Sequence, residues 1–185
     1  MDHLNIFSSE LIKSVGEAVG SVYHPPVPAS NDESVYGLDG IVSTIYLKGD
    51  IIGKISFFIR TSGAAKIVAG MLGVDELEED SGDVVDGIGE VLNILTGCFK
   101  KHLEPHQLKV EISIPSTRMT GLMPAGRMEN NIEQVYTSRD VAFKVSLSYR
   151  FVIKKEKVSL SPPSAQVKLK LSAADLLKQI LSKKK

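Results

Sequence analysis

The chain has 185 residues, of which 43% are apolar and 24% are charged, as expected for one soluble globular domain. No apolar run approaches the length of about 18 residues that a transmembrane helix needs, and the first residues lack the pattern of a secretory signal. Cys98 is the only cysteine, which excludes an internal disulfide and a cysteine-built metal site. We therefore expect a protein of the reducing cytoplasm.

The net charge of zero conceals an asymmetry along the chain. Residues 154–185 contain nine lysines and two acidic residues, whereas residues 1–153 contain 13 basic and 20 acidic ones. Because phosphate binding needs clustered Lys and Arg side chains, the acidic body argues against nucleic acid as a partner. We predict a globular domain over 1–153 and a basic C-terminal extension over 154–185. The extension has a linker at 161–164 and a short amphipathic helix at 172–181, which either completes a half-repeat or contacts an anionic surface.

The first half of the sequence predicts a helix, a β-hairpin and a second, shorter helix. Apolar residues at helical spacing predict the first helix over 4–22, and prolines end it. Runs of β-branched and aromatic residues at 41–47 and 51–60 predict two strands joined by a tight turn. The shorter helix follows over 61–72 and ends at Gly73.

The second half repeats this order with a longer helix. After an acidic loop at 75–83, apolar periodicity predicts a helix over 83–103. Alternating residues then predict strands at 108–115, 135–136 and 141–153. Two halves with the same order of elements indicate a duplication. The predicted fold class is therefore α+β, with pseudo-duplicated helix–strands–helix halves whose helices pack on an antiparallel sheet.

The long helix presents an unusual polar face. At about 100° per residue, four residues fall within roughly a 60° stripe opposite a broad apolar face. They are Asp86, Glu90, Asn93 and Gly97. A solvated helix face usually mixes lysine and glutamate, whereas this stripe offers two carboxylates, a carboxamide and a glycine. The glycine weakens the helix by about 1 kcal/mol relative to alanine, but it allows another backbone to approach closely. The stripe is either an ordinary solvated face or a surface for a partner.

A proline follows the stripe at the end of a predicted strand, and 21 residues separate Asn93 from Pro115. This arrangement resembles the signature of the CheC/CheX family of chemotaxis phosphatases. In that family an acidic residue or serine, a glutamate and an asparagine stand on one helix, as Asp86, Glu90 and Asn93 do here, and a proline comes later. The resemblance extends over roughly residues 4–153 and includes the GEVLNILTG segment of the long helix.

The resemblance implies a CheC/CheX-like fold, an activity and a partner. CheX-like proteins dephosphorylate the aspartyl phosphate of a response-regulator receiver domain such as CheY, and the receiver supplies the Mg²⁺ and a lysine. By analogy, Asn93 would orient the attacking water and Glu90 would pair with the receiver's lysine. Asp86 would support the interface, Pro115 would shape the strand end, and Gly97 is expected to admit the partner's backbone. The chain would need no cofactor of its own. CheX relatives also form dimers by pairing sheets, so a homodimer is an open outcome.

Comparison of the two predicted halves indicates a single site. When the first helix is aligned with the long helix by Gly20 and Gly97, Lys13 and Gly16 occupy the positions of the glutamate and the asparagine. The first half then lacks both functional side chains. This is the single-site pattern of CheX-like proteins, whereas CheC-like proteins have two sites.

Other candidate residues have plainer explanations. His102 and His106 are four residues apart, as in some zinc sites, but Pro105 breaks the helix that would align them. We therefore expect a pair of surface histidines. Cys98 points to the apolar face of the long helix and is expected in the core rather than as a nucleophile.

Two classes of function remain open. The first is an enzyme that removes the phosphoryl group from a receiver domain, in bacterial chemotaxis or another two-component pathway. The second is a non-catalytic module of the same fold, which binds receivers or serves as a scaffold like the middle domains of flagellar switch proteins. The presence of both Glu90 and Asn93 favours the enzyme, because catalysis needs these side chains and scaffolding does not.

Overall fold

The computed structural model describes residues 3–30, 39–119 and 128–152, in which three helices cover one face of an antiparallel sheet. The elements in chain order are α1 His3–Val22, β1 Val27–Ala29, β2 Gly40–Gly49, β3 Ile51–Arg60, α2 Thr61–Leu72, α3 Gly82–Leu103, β4 Val110–Ile112, β5 Ser116–Met119, β6 Asn130–Ser138 and β7 Val141–Phe151. A 3-10 turn, Glu104–His106, connects α3 to β4. The predicted α+β class, with helices packed on an antiparallel sheet, is confirmed; the last helix of the predicted second half lies outside the described residues.

The order of strands across the sheet reflects the duplication. The strands lie in the order β1-β6-β7-β3-β2, and β4 and β5 both pair with the free edge of β2, at its two ends. The central strands β3 and β7 therefore belong to different halves, and each is the second strand of its own hairpin. Strand β1, which follows α1, pairs with the β6–β7 hairpin of the second half. Strands β4 and β5, which follow α3, pair with the β2–β3 hairpin of the first half. Helices α1 and α3 therefore occupy equivalent positions in the two halves.

The core lies between the sheet and the helices. Alternate residues of the central strands face the helices, and Ile45 and Phe57 are fully buried there. From the helical side, Phe7 of α1 and Phe99 of α3 meet with ring centroids 6.1 Å apart. Burying a side chain of this size stabilises the fold by about 1.5–3 kcal/mol. The core therefore fixes which face of α3 turns outward.

The strand predicted over 108–115 is wrong in its extent. The structure has two short strands, β4 and β5, separated by residues 113–115, which leave the ladder. Pro115 explains the interruption, because proline has no N–H to donate to a neighbouring strand. The sequence analysis missed β5 entirely, and it placed the start of β6 five residues too late.

The analysis also missed β1, which lies in the proline-rich segment after the first helix. Its residues pair with β6, with Val27 opposite Thr137 and Ala29 opposite Val135. Pro28 is tolerated because β1 is an edge strand, where one missing N–H leaves no buried partner unsatisfied.

Several predictions lie outside the described residues. They concern the extension over 154–185, its linker at 161–164 and its helix at 172–181. The boundary of the globular domain at residue 153 stays a prediction for the same reason.

Candidate functional site

Helix α3 carries the stripe, and both of its ends are stabilised locally. At its start, the Ser81 hydroxyl accepts a hydrogen bond from the Val84 N–H at 3.4 Å, which satisfies one of the free donors of the first turn. Asp83 lies in the first turn, and Lys100 and Lys101 lie in the last turn. These charges oppose the helix dipole at each end. The stabilised ends help to keep α3 helical over its full length, and this fixes the positions of the side chains on its outer face.

Most of the inner face of α3 is fully buried, as its apolar periodicity predicted, while Val85, Ile94 and Cys98 are half-buried. Its buried side chains include Val84, Ile88, Val91, Leu92, Leu95, Phe99 and Leu103. On the opposite face, Asp86 and Glu90 are exposed, while Asn93 and Gly97 are half-buried. The structure therefore brings the four residues of the stripe to one accessible surface.

Glu90 and Asn93 are direct neighbours on this surface. The Asn93 Nδ2 group donates a hydrogen bond to Glu90 Oε2 at 3.3 Å, in an exposed position. A long hydrogen bond in contact with solvent is easily exchanged for one to water or to a ligand. The pair is therefore oriented by its own contact and remains available to a partner.

Pro115 packs against the same helix beside Gly89, which is the residue before Glu90. A methyl group built on Gly89 would stand 3.8 Å from Pro115 Cγ and only 2.9 Å from Thr117 Oγ1. The glycine therefore lets β5 approach α3 closely beside the stripe. Thr117 is held in turn, since its hydroxyl lies 2.8 Å from Ser43 Oγ on β2. The sequence analysis missed Gly89 and Thr117 as positioning residues, although a glycine inside a buried helix was the available indication.

Gly87 and Gly97 differ in what surrounds them. A methyl group on Gly87 would stand 2.5 Å from a methyl of Val68, so this glycine lets α2 pack against α3. Among the described residues, none has an atom within 4 Å of the corresponding position on Gly97. Gly97 therefore leaves an open place at the end of the stripe, and its role towards a partner stays a prediction.

A second polar cluster lies between α1 and the C-terminal end of α3. The buried Glu10 carboxylate lies 3.7 Å from His102 Nδ1 and 3.7 Å from His106 Nε2, and it forms an ion pair with Lys13 at 3.0 Å. His102 Nε2 also lies 3.1 Å from Glu17 Oε1. The expectation of a simple surface histidine pair is therefore wrong for His102, whose side chain is only 18% exposed. Because Glu10 belongs to α1 and its carboxylate lies between His102 and His106, this cluster links α1 to the C-terminal end of α3.

Electrostatics favour the ionised form of Glu10. Burial raises the pKa of this carboxyl, but the hydrogen bond from Lys13 and the charges of Lys13, His102 and His106 outweigh burial and hold the pKa below its usual value. Cys98 lies at the same seam and is half-buried. Burial, followed by its interaction with Glu17, raises the pKa of the thiol, which disfavours the nucleophilic thiolate. Within the described ranges, no three His, Cys, Asp or Glu side chains are placed to hold a metal ion.

Of the helices in the three described ranges, none is both long enough and apolar enough to cross a bilayer.

A family model matches the central part of the chain. Residues 41–131 match the model described as Chemotaxis phosphatase CheX. The matched segment contains the whole of α3 and extends past Pro115, so it includes all the residues of the stripe. No curated protein matches the sequence.

Solved structures share the fold. Chemotaxis protein CheX from Vibrio vulnificus matches with a TM-score of 0.68 and 17% identity, over 78% of this chain and 99% of that chain. CheX in the CheX–CheY–BeF3–Mg complex from Borrelia burgdorferi matches with a TM-score of 0.64 and 14% identity, over 78% and 97%. The FliM middle domain from H. pylori matches with a TM-score of 0.57 and 14% identity, over 80% and 92%. At such identities the likeness shows a common fold.

Proposed function

Because this chain is a CheX-like protein, we propose that it is a phosphatase that hydrolyses the aspartyl phosphate of a CheY-like receiver domain. The observation that supports the proposal is the pair formed by the exposed Glu90 and the half-buried Asn93, one helical turn apart on α3 and joined by a hydrogen bond of 3.3 Å. The Borrelia burgdorferi CheX that shares the fold was crystallised with CheY, BeF3 and Mg. A protein of this architecture can therefore form a complex with a receiver.

In the proposed reaction, Asn93 orients the attacking water. A carboxamide can accept a hydrogen bond from a water through its oxygen and donate another through its nitrogen, and it needs no particular pKa to do so. The water oxygen attacks phosphorus, the bond between phosphorus and the aspartyl oxygen breaks, and inorganic phosphate leaves. Phosphoryl transfer has a loose transition state, so the position of the water and the placement of charge dominate the rate.

Glu90 has a different task in this proposal. Its exposed carboxylate pairs with the lysine of the receiver and fixes the register in which the two proteins meet. The pairing also releases Asn93 from its present partner, because the carboxylate that accepts the Asn93 hydrogen bond turns to a cation. The Mg²⁺ that neutralises the phosphoryl oxygens is supplied by the receiver.

The remaining residues of the site support docking. Asp86 is exposed one turn before Glu90 and adds negative charge to the surface. Gly97 leaves room for the partner's backbone at the other end of the stripe. Pro115 packs against α3 beside Gly89 and shapes the end of the strand at the border of the stripe.

The test is a panel of phosphorylated receiver domains. Each receiver is phosphorylated with a small-molecule donor, and the loss of its phosphoryl group is followed with and without this protein. We expect faster loss for at least one receiver, and no acceleration when Asn93→Ala replaces the wild type. Equal rates with and without the wild-type protein across the panel would contradict the proposal.

A second candidate function is a non-catalytic scaffold of the same fold. The observation that favours it is the fold shared with the FliM middle domain from H. pylori. The panel separates the two functions when receiver binding is measured beside the rate. A scaffold binds activated receivers without accelerating the loss of phosphate, and Asn93→Ala then changes neither quantity.

A further inference from the structure

The segment between β4 and β5 is held rigidly although it leaves the ladder. The Ser113 N–H donates to the Tyr46 carbonyl at 3.0 Å, and the Tyr46 N–H donates to Ser113 Oγ at 3.0 Å. The Ser113 hydroxyl donates in turn to the Ile114 carbonyl at 2.9 Å. At the other end of the segment, Pro115 packs beside Gly89 of α3. Residues 113–115 therefore form a fixed bulge at the border of the stripe.

This bulge presents Ile114 to solvent. The side chain is 87% exposed, the largest value among the exposed large apolar side chains in the described ranges. Pro115 follows directly and packs beside Gly89, so the Cα atom of Ile114 lies about 3.8 Å from the Cα atom of the residue that borders the stripe. Folding gains almost nothing from an isoleucine in this place, because its apolar surface stays in water.

A second apolar side chain extends the border. Met119 lies two residues after Thr117 on β5, on the strand face that turns towards α3, and it is 49% exposed. Ile114, Pro115 and Met119 together form an apolar border along one side of the acidic stripe. Interfaces commonly combine an apolar part, from which most of the affinity comes, with charged groups that fix the register.

We propose that Ile114 is the apolar anchor with which this protein docks a receiver domain, beside the phosphate that Asn93 and Glu90 address. The inference rests on the proposed function and deepens it, since it assigns affinity to the apolar border and chemistry to the stripe. The receiver contributes an apolar patch next to its phosphorylation pocket, and Ile114 becomes buried there. Met119 adds a smaller contact at the far end of the border.

The geometry favours a receiver over a second copy of this chain. The bulge at 113–115 offers few donors to an added strand, because the N–H and the hydroxyl of Ser113 are already hydrogen-bonded and Pro115 has no N–H. A two-fold contact through this surface would also bring the carboxylates of Asp86 and Glu90 against their own copies. Like charges at an interface oppose such pairing.

The test uses the receiver that the wild type dephosphorylates fastest, in its beryllofluoride-activated form. Affinity, KM and kcat are measured for the wild type, for Ile114→Ser and for the control Leu4→Ser. Leu4 is 48% exposed at the start of α1, near the Phe99 end of α3, about 13 Å along the helix from Glu90. We expect Ile114→Ser to weaken binding and raise KM by about tenfold to hundredfold, with kcat unchanged. Leu4→Ser should match the wild type.

Salt dependence and molar mass give further readouts. Loss of apolar burial is not screened, so the effect of Ile114→Ser should persist at high salt. Unchanged affinity in Ile114→Ser, together with an inactive Asn93→Ala, would overturn this inference and leave the proposed function standing. A change from dimer to monomer in Ile114→Ser with unchanged receiver affinity would also overturn it. A wild type that neither binds nor dephosphorylates any receiver would overturn the proposed function and this inference with it.

Discussion

Helices α1 and α3 occupy equivalent places in the two halves, since each precedes a strand that completes the hairpin of the other half. Their outer faces differ in the residues that matter for chemistry. When α1 is aligned with α3 by Gly20 and Gly97, the exposed Lys13 and the half-buried Gly16 take the positions of Glu90 and Asn93. Lys13 forms its ion pair with Glu10 of its own helix. The same scaffold is thus present twice, and only one copy offers a carboxylate beside a carboxamide.

The neighbours of the two faces differ as well. On α3, Gly89 lets β5 approach, and this brings Pro115 and the bulge to the border of the stripe. The equivalent residue on α1 is Ile12, which is 38% exposed. A site on this scaffold therefore needs more than two functional side chains. It also needs a small residue on the helix, such as Gly89, so that the edge of the sheet can approach. Function on this fold therefore depends on the residues of the site and not on the fold alone.

The largest effect is expected from removing the carboxamide. Asn93→Ala should slow the loss of phosphate from a matched receiver by about hundredfold or more, since a positioned polar group contributes about 10²–10³ to such steps. Receiver affinity should stay within about twofold, because alanine keeps the helix and the contact surface. Gly16→Ala, at the equivalent place on α1, is the matched control and should leave the rate unchanged. If Asn93→Ala had the wild-type rate, this result would contradict the functional difference that we assign to α1 and α3.

The next effect is expected from Glu90→Ala. Loss of its pairing with the receiver lysine should weaken binding by about tenfold at low salt, and the loss should shrink as salt rises. The salt dependence separates this charged contact from the apolar contact of Ile114. Glu104→Ala, an exposed acid at the far end of α3, is the control and should change affinity little. A loss that is the same at low and high salt would exclude the ion pair.

A smaller effect is expected at the seam between the two helices. The folded-state pKa of Glu10 lies below its unfolded value, near 4.5, so its ionised form stabilises the protein above that pH and the contribution is lost as pH falls through the folded-state pKa. Glu10→Gln should therefore lower the free energy of unfolding by about 1 kcal/mol at pH 7. The difference should shrink as the pH falls through the folded-state pKa of Glu10, because the carboxyl then becomes protonated in the folded protein as well. Urea unfolding over a series of pH values from 7 downwards measures this, and a difference that does not change with pH would contradict the assigned ion pairs.

The smallest effect is expected from Asp86→Ala. Asp86 is exposed and lies outside the hydrogen bond between Glu90 and Asn93, so its charge acts on the partner only through water. We expect less than about a threefold change in receiver affinity and no change in kcat, as for other exposed charges. A loss as large as that of Glu90→Ala would show that the register depends on Asp86 as well.

The outer face of α3 could be predicted from the sequence because helical periodicity depends only on local spacing. Asp86, Glu90 and Asn93 are separated from the buried Ile88 and Leu92 by rotation about one helix axis, and no tertiary information is needed. The hairpins could be predicted for a similar reason, since alternation and turn residues are local. Both are patterns within about 20 consecutive residues.

The features that complete the site could not be predicted in this way. The contact of Gly89 with Thr117 and the convergence of Glu10 with His102 join distant parts of the chain, and they depend on how helices and sheet pack. The bulge at 113–115 was hidden because its residues continue the alternation of a strand. Pro115 was the one local indication that the ladder would be interrupted.

The central claim is that the residues of the stripe, and not the scaffold, give α3 its activity. The most direct test gives α3 the residues of α1, as the double variant Glu90→Lys with Asn93→Gly, and measures the rate at which a matched phosphorylated receiver loses its phosphoryl group. We expect the rate to fall to that of the receiver alone. Thermal unfolding should show a folded protein that is destabilised only slightly, by about 0.3 kcal/mol, because asparagine and glycine are both weak helix formers. A folded double variant that still accelerates the loss of phosphate would contradict the account.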